Sequence, residues 1–197
     1  MLFNSLSYLL FFPIMCILYW CISAKYRNAL LLFASYFFYM SWEPAYAILI
    51  VFTSLSTWGC ALLTDKYEKH KRFSITLCLI INLMILFVFK YYNFALDTIT
   101  SMMSLADYKL HIPCSDFQLP VGISFYTFQC IGYILDVYRK EIRPERNLIT
   151  YALFVSFFPQ LVAGPIKRAK NLLPQFHNQH KFNGDSFING LKMMVWG

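Results

Sequence analysis

Positive charge recurs on every second connection between apolar runs, and this alternation restricts the fold more than any single motif does. Five runs stand out: Leu2–Ser23, Ala29–Trp42, Ala45–Thr64, Ser74–Phe89 and Leu119–Leu135. Lys25 and Arg27 follow the first. Lys66, Lys69, Lys71 and Arg72 follow the third. Arg139, Lys140, Arg143 and Arg146 follow the fifth. Lys167, Arg168, Lys170 and Lys181 follow a further, interrupted apolar stretch. Together these are fourteen of the seventeen Lys and Arg residues. The remaining connections are poor in positive charge: Glu43-Pro44 has none, and Asp97–Phe117 has Lys109 alone. Cytoplasmic loops of membrane proteins carry an excess of Lys and Arg. The pattern therefore predicts an all-α polytopic membrane protein, with about five spanning helices and the N-terminus outside. Topology accounts for the net charge of +7, which leaves no reason to invoke nucleic acid.

Composition agrees. Charged residues make up 14% and hydrophobic residues 58% of the chain, where a soluble domain carries roughly 25% charge. No charged side chain occurs in the first 23 residues. Nine Leu, Ile and Phe residues between Leu6 and Ile22 favour the bilayer by up to about 3–5 kcal/mol, less what Pro13 and off-centre positions cost. The positive n-region of a secretory signal peptide is missing, so this run is expected to be a retained anchor. About 20 residues are needed to cross the hydrocarbon core. The second, fourth and fifth runs are therefore short, tilted or flanked by thinned bilayer, and a helical extension of the fourth past Lys90 is left open.

The interrupted stretch is Phe157-Phe158-Pro159-Gln160-Leu161-Val162-Ala163-Gly164-Pro165. Two prolines, a glycine and an amide break an apolar run with basic residues on both flanks. In hydrocarbon, irregular backbone persists only where protein or a water-filled cavity surrounds it. One expectation is a re-entrant hairpin over Leu148–Pro165, turning near Pro159-Gln160 and returning to the cytoplasmic side. A proline-kinked spanning helix is the alternative. Beyond it, Asn171–Asp185 is polar, and Ser186–Gly197 carries one apolar face, as an interfacial helix does. The chain is thus expected to be a single membrane domain over 1–197, with 166–197 a cytoplasmic connection and interfacial helix. Ending at Trp196-Gly197 without a cap or polar tail, it is expected to be the N-terminal piece of a longer protein.

Few residues present themselves for catalysis. His177 and His180 are three apart but lack supporting ligands at a metal-binding spacing, so both are expected to be solvated or to face lipid headgroups, and no metal site is expected. His70 and His111 have no partner that makes either a general base. The six cysteines show no C-x-x-C pair and read mostly as small hydrophobes. Gly122-Ile123-Ser124 lacks the second glycine of a nucleophile elbow. In the fifth run, Ser124, Tyr126, Thr127, Gln129 and Tyr133 are hydroxyl or amide groups within a charge-free stretch. They either bond between helices or line a polar path.

Leu119-Pro120-Val121-Gly122-Ile123-Ser124-Phe125-Tyr126-Thr127-Phe128-Gln129, followed by Tyr133-Ile134-Leu135-Asp136-Val137-Tyr138-Arg139, resembles a hallmark of the membrane-bound O-acyltransferase (MBOAT) family. Phe157–Pro165 with Ile166 resembles its second hallmark. The N-terminal pattern Tyr26-Arg27-Asn28, Ala34–Tyr39 and Trp42-Glu43-Pro44 is also similar. The likeness is strongest to the bacterial branch that includes alginate O-acetylation membrane subunits and teichoic acid D-alanyl transfer proteins, and it covers essentially the whole chain. The resemblance implies helices around a tunnel and an acyl group, most simply acetyl, passing from a cytoplasmic thioester donor to an extracytoplasmic polysaccharide. The implied donor, acetyl-CoA or an acyl-carrier protein, is a substrate and not a resident cofactor. An extracytoplasmic acyltransferase is an implied partner, and the bacterial inner membrane the implied location. The family's catalytic histidine lies in a later helix, so no catalytic residue is assigned here and this chain alone is expected to be inactive. Ser124, Tyr126, Gln129, Pro159, Gln160, Gly164 and Pro165 are the tunnel-lining candidates. Asp136, Arg139, Arg143, Lys167 and Arg168 are the donor-side candidates, although topology alone also accounts for the basic ones. A non-catalytic scaffold and a transporter or flippase component are the alternatives.

Overall fold

The structure is a computed structural model that describes residues 5–42, 44–104, 120, 122–161, 167–178 and 183–196. Every regular element among them is helical. The apolar runs become α1 (Leu6–Cys21), α2 (Arg27–Met40), α3 (Ala47–Lys66), α4 (Lys71–Ser104) and α5 (Ile123–Tyr138). The interrupted stretch becomes α6 (Leu148–Ser156) and the single turn α7 (Phe158–Leu161). α8 (Ala169–His177) and α9 (Gly184–Trp196) follow. The fourth run does continue as helix beyond Lys90. α8 falls in what the sequence presents as a polar connection; its turn buries Ala169, Leu172 and Leu173, an i, i+3, i+4 set too short to stand out against the polar residues around it. Gly164, Pro165, His111, His180 and Cys114 lie outside the described residues.

Two helices are long and apolar enough to cross a membrane, Pro44–Lys66 and Glu68–Tyr92. Leu6–Cys21 and Leu148–Leu161 are shorter apolar helices. At 1.5 Å per residue the 16 residues of α1 span roughly 24 Å, against about 30 Å of hydrocarbon. Ser5 caps α1 by accepting a bond from the Tyr8 N–H at 3.2 Å. Leu6, Leu9, Leu10, Ile14 and Ile17 remain exposed on its outer side.

α3 lies at the centre, packed against α4, α5 and α6. The reason is in its sequence. Thr53, Ser54, Thr57, Cys60, Ala61 and Thr64 are buried at helical spacing, and small side chains let backbones approach closely where no hydrophobic force distinguishes protein from lipid. Thr53 and Thr64 turn their hydroxyls back onto the Leu49 and Cys60 carbonyls at 2.9 and 2.7 Å. Asn82 of α4 donates to Thr57 Oγ1 at 3.2 Å and to the Cys78 carbonyl at 2.9 Å. This fully buried amide ties α4 to α3. α6 packs against α2, α3, α5 and α8.

Candidate functional site

The two long motifs meet. Gly122, at the N-terminus of α5, has φ +76°, and a Cβ placed there would lie 2.7 Å from the Leu161 carbonyl oxygen at the end of α7. Only glycine combines a left-handed backbone with so close an approach. The first motif's glycine is thus the seat on which the second motif's short helix ends.

The helical break itself falls at Phe157 (φ −55°, ψ 108°), two residues before the expected turn at Pro159-Gln160. The physical reason is capping. Ser156 folds its hydroxyl back on the Ala152 carbonyl at 2.8 Å, closing α6. The Phe157 carbonyl then accepts from the Gln160 and Leu161 N–H groups at 3.0 and 3.1 Å, opening α7. Pro159 sits inside that first turn, where its missing N–H costs nothing. The Phe158 N–H, freed by the break, donates to Ser35 Oγ of α2 at 3.2 Å, and Ser35 donates onward to the Leu31 carbonyl at 2.7 Å. A broken backbone inside apolar surroundings is thereby kept satisfied.

The tunnel-lining candidates separate into two kinds. Gln129 is a strut: its Nε2 donates to the Phe154 carbonyl at 2.7 Å and ties α5 to α6. Tyr126 and Gln160 are different. Gln160 is 8% exposed and its Nε2 has no partner. Tyr126 is fully buried, and its hydroxyl adjoins that of Tyr39 on α2 closely enough for the two to serve one another, with no other partner for either among the described residues. Thr127 Oγ1 is a further orphan. Ser124 is half-buried in the first turn of α5, and Pro159 borders an apolar chamber beside α1. Unpaired polar groups in hydrocarbon cost several kcal/mol each, so these atoms mark where a polar partner belongs.

The donor-side candidates lie beyond the C-terminal end of α5. That helix closes with a Schellman arrangement: Glu141 N–H donates to the Asp136 carbonyl at 2.9 Å and Lys140 N–H to the Val137 carbonyl at 3.0 Å. Lys140 takes the left-handed position, φ 60°, that glycine usually fills. Its ammonium pairs with Glu68 and holds that carboxyl below the ordinary range. Arg139 lies 4.0 Å from Glu141. Arg143, Lys167 and Arg168 are exposed. Burial raises the Asp136 carboxyl, with Glu141 adding to the effect and Arg168, Arg139 and Lys170 opposing it. Asp136, Arg139 and Arg168 therefore do share one neighbourhood.

One centre was not legible in the sequence. Glu145 bonds to three helices and to its own loop. Its N–H donates to the Tyr133 hydroxyl at 2.9 Å, its carbonyl accepts from Trp58 Nε1 at 2.8 Å, its Oε1 accepts from the Asn147 N–H at 2.9 Å, and its Oε2 meets His177 Nε2 at 2.6 Å. His177 is therefore not a merely solvated residue, and its acidic partner lies 32 positions away. Spacing along one helix could not show that pair. Among the described residues no group of His, Cys, Asp and Glu could hold a metal ion.

Comparison with known proteins fixes what these motifs belong to. A probable alginate O-acetylase AlgI of Pseudomonas syringae pv. tomato is 39% identical over 207 residues, covering 100% of this chain and 38% of that protein. Over its whole length the chain is similar to proteins named probable alginate O-acetylases. A probable alginate O-acetylase AlgI of Pseudomonas aeruginosa is 35% identical, again over 100% of this chain and 38% of its own length. A peptidoglycan O-acetyltransferase of Helicobacter pylori is 31% identical over 91% of this chain and 39% of the relative. These likenesses are consistent with the resemblance to the bacterial MBOAT branch, and the chain spans about two fifths of the length of these relatives. No family model matches the chain, and no solved structure matches it.

Proposed function

We propose that this chain forms part of the wall of an acyl-transfer path in a membrane O-acetyltransferase that modifies an extracytoplasmic polysaccharide. The observation that carries this reading is a buried polar cluster where α2, α5 and α7 bear the family motifs: the adjoining Tyr39 and Tyr126 hydroxyls and the Gln160 amide nitrogen, which has no partner. The names of the relatives supply the reaction, O-acetyl transfer, and two acceptor classes, alginate and peptidoglycan. Acetyl transfer needs a site that excludes water and a base at the acceptor hydroxyl. This chain supplies the exclusion, by burying α6 almost completely. The base belongs to a part of the longer protein outside these residues, so we assign no catalytic residue here. The donor is a cytoplasmic acyl thioester, acetyl-CoA or an acyl-carrier protein, drawn by Arg139, Arg143, Lys167 and Arg168. An extracytoplasmic acyltransferase completes the system.

The topology belongs to the same proposal: a multi-pass protein of the bacterial inner membrane, N-terminus outside, with Leu148–Pro165 re-entrant. Support comes from the return of the chain to its point of entry. α6 leaves from Asn147, and by His177 the backbone is again beside Glu145, 2.6 Å away through their side chains. Asn28 of α2 fastens the same place by donating to the Phe176 carbonyl at 3.0 Å.

The test is Gln160→Leu in the full-length protein. Acetylation of the polymer is expected to fall while membrane insertion and abundance stay at the wild-type level. Wild-type acetylation in that variant would remove Gln160 from the path.

A further inference from the structure

Two cavities share a wall along α1, α2 and α8. The first, about 200 Å³, is polar and bordered by Arg27, Asn28, Asn147, Gln175, His177 and Asn178. The second, about 310 Å³, is mostly apolar and runs along Phe12, Met15 and Cys16 of α1 to Phe157, Phe158 and Pro159 at the helix break. Tyr19, Leu31, Gln175 and Phe176 border both. The cleft therefore changes character along its length: cationic and amide-rich at the basic end of the helices, hydrocarbon-like toward their middle. Its size matches that of small-molecule sites, roughly 300–1,000 Å³.

The mouth is shaped for an anion. The Arg27 guanidinium lies over the Tyr19 and Trp20 rings, 4.9 and 5.0 Å from their centres, so the cation is braced at the lip of the chamber. Arginine offers a planar fork of donors that matches phosphate oxygens. Asn147 and Asn178 are exposed beside it and add amide groups. The Arg27 Nε also donates to the Ile22 carbonyl at 3.4 Å. Tyr and Trp at this level fit the headgroup boundary of a bilayer.

We propose that this cleft binds an anionic glycerophospholipid of the leaflet that faces the basic loops, its phosphate at Arg27 and one acyl chain along α1 to the α6–α7 break. Charge complementarity at the mouth and an apolar chamber directly behind it fit an amphiphilic anion and fit neither a soluble anion nor a neutral alkane. The choice of leaflet rests on the topology proposed above; the binding itself does not. An occupied chamber would pack against Phe157, Phe158 and Pro159, so the lipid would steady the break from the side that faces α1.

The test uses the full-length protein in native-membrane nanodiscs and a photoactivatable phosphatidylglycerol carrying its reactive group on an acyl chain, with the phosphatidylcholine analogue as comparison. Crosslinks from phosphatidylglycerol are expected in peptides containing 12–20 and 157–159. Arg27→Gln is expected to lower that labelling about five-fold, the effect of roughly 1 kcal/mol for one surface cation, and Arg27→Lys to recover it only in part, since an ammonium keeps the charge but not the stacked fork. Cys16→Trp, which fills the chamber, is expected to abolish it for both lipids without loss of abundance. Equal labelling by the two lipids, labelling indifferent to Cys16→Trp, or no labelling at all because protein covers the chamber would each overturn the proposal. Polymer acetylation measured on the same samples keeps the outcomes separate. Active protein without labelling defeats the lipid site alone, and labelled but inactive wild-type protein defeats the enzymatic reading alone.

Discussion

At the scale of single residues, the candidates of the long α5 motif have unlike duties. Gln129 is structural, and a lost interhelical bond in a membrane is worth about 0.6 kcal/mol on average. Gln129→Met loses that bond and also leaves the buried Phe154 carbonyl, whose helical donor Phe158 is spent on Ser35, without a partner, so a clear drop in the unfolding midpoint in detergent is expected with acetylation per folded molecule intact. Gly122 is far less tolerant. Gly122→Ala places a Cβ against the Leu161 backbone and forces a left-handed alanine, costing about 1–2 kcal/mol for the backbone and a further ~1–3 kcal/mol for overpacking. A marked loss of folded protein by fluorescence-detected gel filtration is the expected outcome; wild-type yield would show that α7 does not dock there. The sequence marks both residues as members of one motif. It cannot show which is strut and which is seat, because that depends on partners 25 and 39 positions away. Tyr126 and Gln160 are legible as polar residues in apolar runs, and what the fold adds is that Tyr126 has only Tyr39 for company and the Gln160 amide nitrogen no partner.

At the scale of elements, the apolar runs foretold α1 to α5 well, since length and hydropathy decide those helices. The interior stripe of α3 was hidden, because small hydroxyl residues in an apolar run look unremarkable until a neighbour packs on them. α8 was hidden for the opposite reason: its nine residues carry too few apolar positions to outweigh the polar ones. The C-terminal end of α5 allows a pH prediction. Burial raises Asp136, one residue past the apolar run, above the ordinary carboxylate range. The folded state therefore holds that proton longer than the unfolded state does. Asp136 adds stability below the ordinary carboxylate value and loses it as pH rises through the shifted one. Asp136→Asn should be neutral or stabilising at pH 7, and its difference from wild type in thermal midpoint should grow as pH rises from acid toward neutrality. A uniformly destabilised variant would mean that the Asp136 charge is needed where Arg168 approaches it.

At the scale of the whole molecule, the return of the chain to Glu145 predicts that Asn147 and Asn171 lie on one side of the membrane. Single cysteines at those positions in the full-length protein should react alike with a membrane-impermeant maleimide; opposite accessibility would turn α6 and α7 into one kinked crossing. The bond from Phe158 to Ser35 carries a consequence for how the protein is made. It joins positions 123 apart. At a synthesis rate of roughly 5–20 residues per second, Ser35 emerges on the order of 6–25 s before its partner exists. The face of α2 around Ser35 must stay open while four later helices, α3 to α6, are made. A ribosome stalled before residue 158 would leave that face bare in the bilayer, so this pairing also sets the stage of synthesis at which the nascent chain is most vulnerable to quality control.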